Sequence, residues 1–199
     1  MAYGDSVTAG QVIVPGTQDV QLIPAQAPYP EVLSQLLVSR YVGQAVSVFN
    51  AGRPVEKAQL ASGRFLAAFN AANPQAVILL EGYNDLLYAD PVQGIQSVEL
   101  GVSAIAAEAR SHGARVFIST LAPTKPGRRN IPLGVIVTAN DRLRVVARGE
   151  GAYLIDVFGA LLPDLDGNIG SDGLHPTETG YRRIAETVFA AIRADLEIH

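Results

Sequence analysis

Five short segments carry residue types that together could perform acyl transfer: Gly4-Asp5-Ser6, Asn50-Ala51-Gly52, Glu81-Gly82-Tyr83-Asn84-Asp85, Thr120-Leu121-Ala122-Pro123 and Asp172-Gly173-Leu174-His175-Pro176. A serine hydroxyl becomes a useful nucleophile when a neutral imidazole takes its proton. The imidazole in turn needs a carboxylate to fix its tautomer and stabilise its charged form. Ser6, His175 and Asp172 supply these parts, the last two from one loop because they lie three residues apart. The tetrahedral intermediate also needs donors aimed at its oxyanion. The Gly52 N–H, with no side chain in the way, and the Asn84 side-chain amide are candidates.

The elements that must position these residues are legible as periodicity. Short β-branched apolar runs at 46–51, 76–81, 115–120 and 152–157 alternate with helical spacing at 29–40, 55–72, 91–111, 132–148 and 177–196. That alternation predicts βαβ units and a parallel sheet. Parallel sheets bind ligands outside the carboxyl ends of their strands, where the five segments fall. Asn73-Pro74 and Ser111-His112-Gly113 end helices, and Pro132 suits a first helical turn. Only Met1, Ala2 and Tyr3 precede the turn at Gly4, so the first strand reads either as a stub or as the end of a longer one.

Composition narrows the functional classes. The chain has 199 residues, 48% of them hydrophobic and 17% charged, which reads as a single domain over 1–199 with a sizeable core. Having no cysteine, it cannot form a zinc ribbon, a disulfide framework or a cysteine nucleophile. A pI near 5.3 and scattered basic residues argue against a nucleic acid partner. No apolar stretch approaches the roughly 18 residues of a transmembrane segment, and no signal-peptide pattern opens the chain.

The segments Gly4-Asp5-Ser6-Val7-Thr8-Ala9-Gly10, Asn50-Ala51-Gly52, Gly82-Tyr83-Asn84-Asp85 and Asp172-Gly173-Leu174-His175-Pro176 resemble, in order, the nucleophile, glycine, asparagine and acid–base blocks of the SGNH or GDSL-type esterases and lipases. The resemblance implies a three-layer α/β/α sandwich around a mainly parallel five-stranded sheet, with its first strand truncated here. It implies Ser6 as nucleophile, His175 as base and Asp172 as orienting acid, and an oxyanion hole of the Ser6 and Gly52 N–H groups with the Asn84 amide. The activity implied is that of a serine esterase on small-molecule carboxylic esters, through an acyl-enzyme on Ser6, with no metal or organic cofactor. Glycines and small residues near the site suggest an open, shallow cleft and short to medium acyl chains. The same triad would serve an acyltransferase or a carbohydrate or cell-wall O-deacetylase, and a catalytically silent binding module is the alternative of another class.

This chain departs from the family pattern at Val7, which replaces a leucine, and at Arg53-Pro54-Val55, where small residues are more usual. The near-missing first strand is the larger departure. It carries the expectation that upstream sequence was removed and, by resemblance to many family members, that the protein is then exported.

Simpler roles are expected for the remaining polar residues. Asp156 is a rival to Asp172, since it too ends a strand. Asp5 and Asp85 read as helix caps or turn carboxylates, and His112 and His199 as solvated ends. Asp164, Asp166 and Asn168 lack the glutamate that would complete a calcium loop, so they read as turn chemistry. Lys125, Arg128 and Arg129 form a basic loop. Leu86, Leu87 and Tyr88, with the long connection over 11–29, are candidates to line an acyl pocket.

Overall fold

The computed structural model describes residues 1–14, 16, 17, 19–25 and 27–197. His199 therefore lies outside the described residues. The elements follow in chain order as β1 (Ala2–Gly4), α1 (Ser6–Ala9), β2 (Gln11–Ile13), β3 (Val20–Leu22), α2 (Tyr29–Arg40), β4 (Asn50–Gly52), α3 (Ala58–Ala72), β5 (Ala76–Leu80), α4 (Tyr83–Leu87), α5 (Pro91–Ser111), β6 (Arg115–Ser119), α6 (Leu133–Gly149), β7 (Tyr153–Ile155), α7 (Val157–Leu161), α8 (Leu165–Asn168) and α9 (Glu178–Leu196). Five strands form a parallel sheet in the order β4-β1-β5-β6-β7. The predicted runs at 76–81, 115–120 and 152–157 contain β5, β6 and β7, whereas only the end of the run at 46–51 enters the sheet, as β4 from Asn50; β4 and β7 have only three residues each. Each is an edge strand with a partner on one side, so its ladder is short.

Helices α2 and α9 pack together on one face of the sheet, with α7 and α8 against α9, while α3, α5 and α6 form the other layer. The three-layer α/β/α sandwich is thus the observed architecture. Helix α9 illustrates how local sequence sets the layers. Thr177 accepts the Gly180 N–H at 3.1 Å to cap it, and Tyr181, Ile184, Ala185, Val188 and Ile192 recur at helical spacing to bury one face. Among the described residues no helix is long and apolar enough to cross a membrane.

The short first strand is internal to the sheet. Ala2, Tyr3 and Gly4 pair with Asn50, Ala51 and Gly52 on one side and with Ile78, Leu79 and Leu80 on the other. The chain leaves β1 toward β4, and β5 adds on the opposite side, so the strand order reverses between β1 and β5. That reversal opens a crevice at their carboxyl ends. Gly4 makes the exit turn possible: a Cβ there would stand 2.0 Å from the Leu80 carbonyl oxygen and 2.3 Å from Thr8 Oγ1. The connection over 11–29 contains an antiparallel hairpin of β2 and β3 that periodicity had not revealed.

Candidate active site

Ser6 is the first residue of α1, immediately beyond the turn at Gly4. Asp5 caps this helix by accepting the Val7 N–H at 3.0 Å. On the other side of the crevice, the loop before α9 holds Asp172 and His175. Asp172 Oδ1 accepts the N–H groups of Leu174 at 3.1 Å and His175 at 3.0 Å, a closed local turn that the Asp-x-x-His spacing makes possible. The loop is tied at its base, where Gly170 donates to the His175 carbonyl and Thr177 to that of Asn168.

The side chains then form a continuous chain. Asp172 Oδ2 lies 2.6 Å from His175 Nδ1, and His175 Nε2 lies 3.0 Å from Ser6 Oγ. An ionised carboxylate can only accept, so Nδ1 carries the ring proton and the Nε2 lone pair faces the serine O–H. Burial works against the charge of Asp172. Hydrogen bonding and attraction from His175 and the two backbone N–H groups outweigh it and hold the carboxyl below its usual range. Ser6, Asp172 and His175 are all buried.

The oxyanion side differs from expectation. Gly52 donates its N–H to Asn50 Oδ1 at 3.0 Å, so that donor is already committed. Gly52 instead permits close packing: a Cβ there would stand 2.1 Å from the Ala9 nitrogen. Asn84, in the first turn of α4, donates one Nδ2 hydrogen to the Glu56 carbonyl at 2.8 Å and keeps the second. This bond pins the turn Arg53-Pro54-Val55-Glu56, closed by the Glu56 N–H to the Arg53 carbonyl at 3.3 Å. Val55 occupies its third position with φ of +65°, a left-handed conformation that a β-branched residue rarely adopts. Arg64 reinforces the turn by pairing with the Glu56 carboxylate and donating to the Ala51 carbonyl at 3.0 Å. The same turn walls an open groove of about 500 Å³ that continues over Lys57, Leu60 and Gly63.

The candidate acyl-pocket residues separate. Leu86 is buried in the hydrophobic core and Leu87 is half-buried against it, because α4 turns its apolar side inward. Tyr88, 53% exposed, presents substantial surface. Asp156 does not approach His175: it caps α7 through the Gly159 N–H at 3.2 Å and accepts from Thr120 Oγ1 at 3.2 Å. Asp85 caps helix α3 rather than its own turn, accepting the Ala58 N–H at 2.7 Å while Ser97 donates to its other oxygen. Asp164 caps α8, Asp166 pairs with Lys125, and Asn168 donates to the Leu161 carbonyl. His112 pairs with Glu108 and packs on Phe69.

Several residues to which the sequence assigned no such role also shape the site. Arg129 stands 3.7 Å from Asp172 Oδ2 and donates its backbone N–H to the Asp172 carbonyl at 2.7 Å, so the basic loop braces the acid–base loop. Asn50, Glu56 and Arg64 shape the oxyanion side through tertiary contacts that no spacing rule announces. Glu81 did leave a signal, as a charged residue at the end of the apolar strand Ala76–Leu80.

Asn84→Ala is expected to lower kcat by about 10²–10³ with little change in KM if its amide acts chiefly in the transition state. Steady-state kinetics on a nitrophenyl ester tests this, and an unchanged rate would remove Asn84 from the site.

A three-layer α/β/α sandwich with a hydroxyl–imidazole–carboxylate chain at the carboxyl edge of its sheet is a hydrolase architecture. The chain belongs to the GDSL-like lipase/acylhydrolase family, whose pattern it matches over residues 2–183, and it is an esterase/lipase-type hydrolase of carboxylic esters. Among curated protein sequences none matches it. Solved structures share the fold. A lipase/acylhydrolase from Enterococcus faecalis is 21% identical, with a TM-score of 0.81 over 98% of this chain and 94% of that one. The aryl esterase of M. smegmatis is 17% identical, with a TM-score of 0.81 over 97% of each chain. A carbohydrate acetylesterase from Sinorhizobium meliloti is 15% identical, with a TM-score of 0.79 over 98% of each chain.

Proposed function

We propose that ester hydrolysis proceeds by attack of Ser6 Oγ on the carbonyl carbon, with His175 Nε2 taking the hydroxyl proton and Asp172 stabilising the imidazolium. His175 returns the proton to the departing alkoxide. Water then attacks the acyl-Ser6 ester by the same base catalysis and releases the acid. The observation that carries this reading is the unbroken alignment of Asp172 Oδ2, the His175 ring and Ser6 Oγ at 2.6 and 3.0 Å.

The donors assigned to the oxyanion are the Ser6 N–H, the free hydrogen of the Asn84 amide and the Val55 N–H. Val55 takes the role first given to Gly52 because the Gly52 N–H is occupied. The third residue of such a turn directs its N–H outward, and no hydrogen bond among the described residues uses it.

The acyl group is assigned to the open groove beside Val55 and Leu60, with Tyr88 at the rim of the site. A groove with open walls covers a short or medium chain about as well as a long one, so added methylenes gain little. Fold relatives that act on small acyl groups, the carbohydrate acetylesterase among them, favour acetyl removal from a carbohydrate as a second reading.

Nitrophenyl esters from acetate to laurate, assayed beside acetylated oligosaccharides, test both. The expected result is kcat/KM highest between acetate and the medium chains. A maximum at laurate would overturn the chain-length reading, and turnover confined to the oligosaccharides would favour the second.

A further inference from the structure

Directly beneath the Ser6 turn, two acidic side chains are buried together. Asp5 follows β1 and Glu81 follows β5, and these strands end in the register Gly4↔Leu80, so the two residues leave adjacent positions on neighbouring strands. Both are essentially inaccessible, at 0% and 2% exposure. Each carboxyl has one satisfied oxygen: Asp5 Oδ1 accepts from Val7, and Glu81 Oε1 accepts the Gly82 N–H at 3.2 Å. Each also has one buried oxygen, Asp5 Oδ2 and Glu81 Oε2, without a hydrogen-bond donor among the described residues. Two ionised carboxylates placed so would repel one another and leave both acceptors unsatisfied.

Among the described residues no cation pairs with either carboxyl. Arg64 senses the Glu81 charge but is committed to Glu56 and the Ala51 carbonyl. The other ionisable groups around the pair are acidic or phenolic: Glu56 in the oxyanion turn, Asp85 and Tyr83 on α4, Tyr3 on β1, Tyr29 on α2 and Tyr181 on α9. A single proton between the two carboxyls resolves both problems, because a carboxylic acid can donate to the unsatisfied oxygen of its neighbour.

We propose that Glu81 is a positioning residue for the nucleophile: its protonated carboxyl donates to Asp5 Oδ2 and holds Asp5 as the anion that caps the Ser6 turn. This rests on the reading of Ser6 as nucleophile. Burial raises the pKa of both groups, and after burial the charge of Asp5 is the largest influence on Glu81. The proton resides on Glu81 because Asp5 is the better-solvated anion, with the N–H groups of Val7, Tyr83 and Gly82 all favouring its charge, against Gly82 alone for Glu81. Loss of that proton at alkaline pH sets two anions beside each other under α1 and displaces Ser6 from His175.

The test compares pH profiles of kcat/KM for the wild type, Glu81→Gln and Glu81→Leu, beside the infrared carbonyl band of a protonated carboxylic acid. The wild type is expected to show that band at neutral pH and to lose activity about tenfold per pH unit once the pair loses its proton. Glu81→Gln keeps an N–H donor toward Asp5 but cannot ionise. It is expected to lose the band, remain within about twofold of wild type at neutral pH and stay flat through the alkaline range. Glu81→Leu has no donor and is expected to be slower at every pH.

Melting temperature gives a readout independent of activity. With folded pKa values raised above the unfolded ones, the pair's contribution is complete below the ordinary carboxyl range and is lost as pH rises through the raised values. Glu81→Gln is therefore expected to become more stable than wild type as pH increases. The absence of the band from the wild type, its persistence in Glu81→Gln, or an unchanged alkaline limb in that variant would each overturn the proposal. None of these outcomes bears on Ser6, whose role is tested separately by its own substitution.

Discussion

Ser6→Ala is expected to reduce kcat on a nitrophenyl ester by about 10⁶, with KM nearly unchanged, because the nucleophile and its base act as a unit and losing either forfeits the covalent route. The surrounding structure should tolerate the change. Ser6 contributes a single side-chain hydrogen bond, to His175, and the cap of α1 is made by Asp5. Removing one hydroxyl leaves the hydrophobic core untouched, so circular dichroism and melting temperature should match the wild type. Labelling by a fluorophosphonate, expected for the wild type and absent in the variant, checks the covalent step directly. Retained turnover in Ser6→Ala would dismiss the acyl-enzyme.

Asp172→Asn is expected to lower kcat by about 10⁴ while leaving substrate binding almost intact. The substitution is nearly isosteric, and the asparagine oxygen can continue to accept the Leu174 and His175 N–H groups that close the loop. Its amide nitrogen, however, then faces His175 Nδ1 as a donor. The ring must carry its proton on Nε2, and the serine loses its proton acceptor. A wild-type rate in Asp172→Asn would move the acid role elsewhere, although the geometry offers Asp156 no path to His175.

The pH behaviour of this acid follows from the sign of its shift. Its carboxyl is held below the usual range, so its stabilising contribution is present above the unfolded value and is lost only as pH falls through the lower folded one. Protonation of Asp172 therefore does not account for activity lost in mildly acidic solution. Asp172 thus keeps its charge as the solution becomes acidic, whereas beneath the Ser6 turn burial favours retention of a proton by the Asp5–Glu81 pair, on Glu81.

Features acting within a few residues were legible in the chain. The helices 29–40 and 91–111 coincide with α2 and α5, since apolar spacing and an N-terminal proline act locally. Asp172 and His175 were readable as a unit because one turn spans both. Gly52 shows the limit: a glycine beside a candidate site suggested a free backbone donor, yet Asn50, two residues away, accepts that N–H. Leu86 shows another, since an apolar residue after Asn84 serves a pocket or the core depending on how α4 is turned. Arg53-Pro54-Val55 stood out as a departure from the family pattern, but the left-handed turn at Val55 was not legible, because it is held by Asn84 and Arg64 from elsewhere in the chain.

By itself, then, the sequence determined the alternation of strands and helices, the order of the reactive segments and the chemistry their side chains can perform, because residue type and short-range spacing are sufficient for these. Tertiary structure decided which groups meet. It brought His175 to Ser6 across a separation of 169 residues, chose Asp172 over Asp156, occupied the Gly52 N–H and left Asp5 beside Glu81. Those outcomes depend on the order in which parallel strands assemble and on burial in their crevice, where an unpaired charge or donor costs free energy that water would otherwise offset.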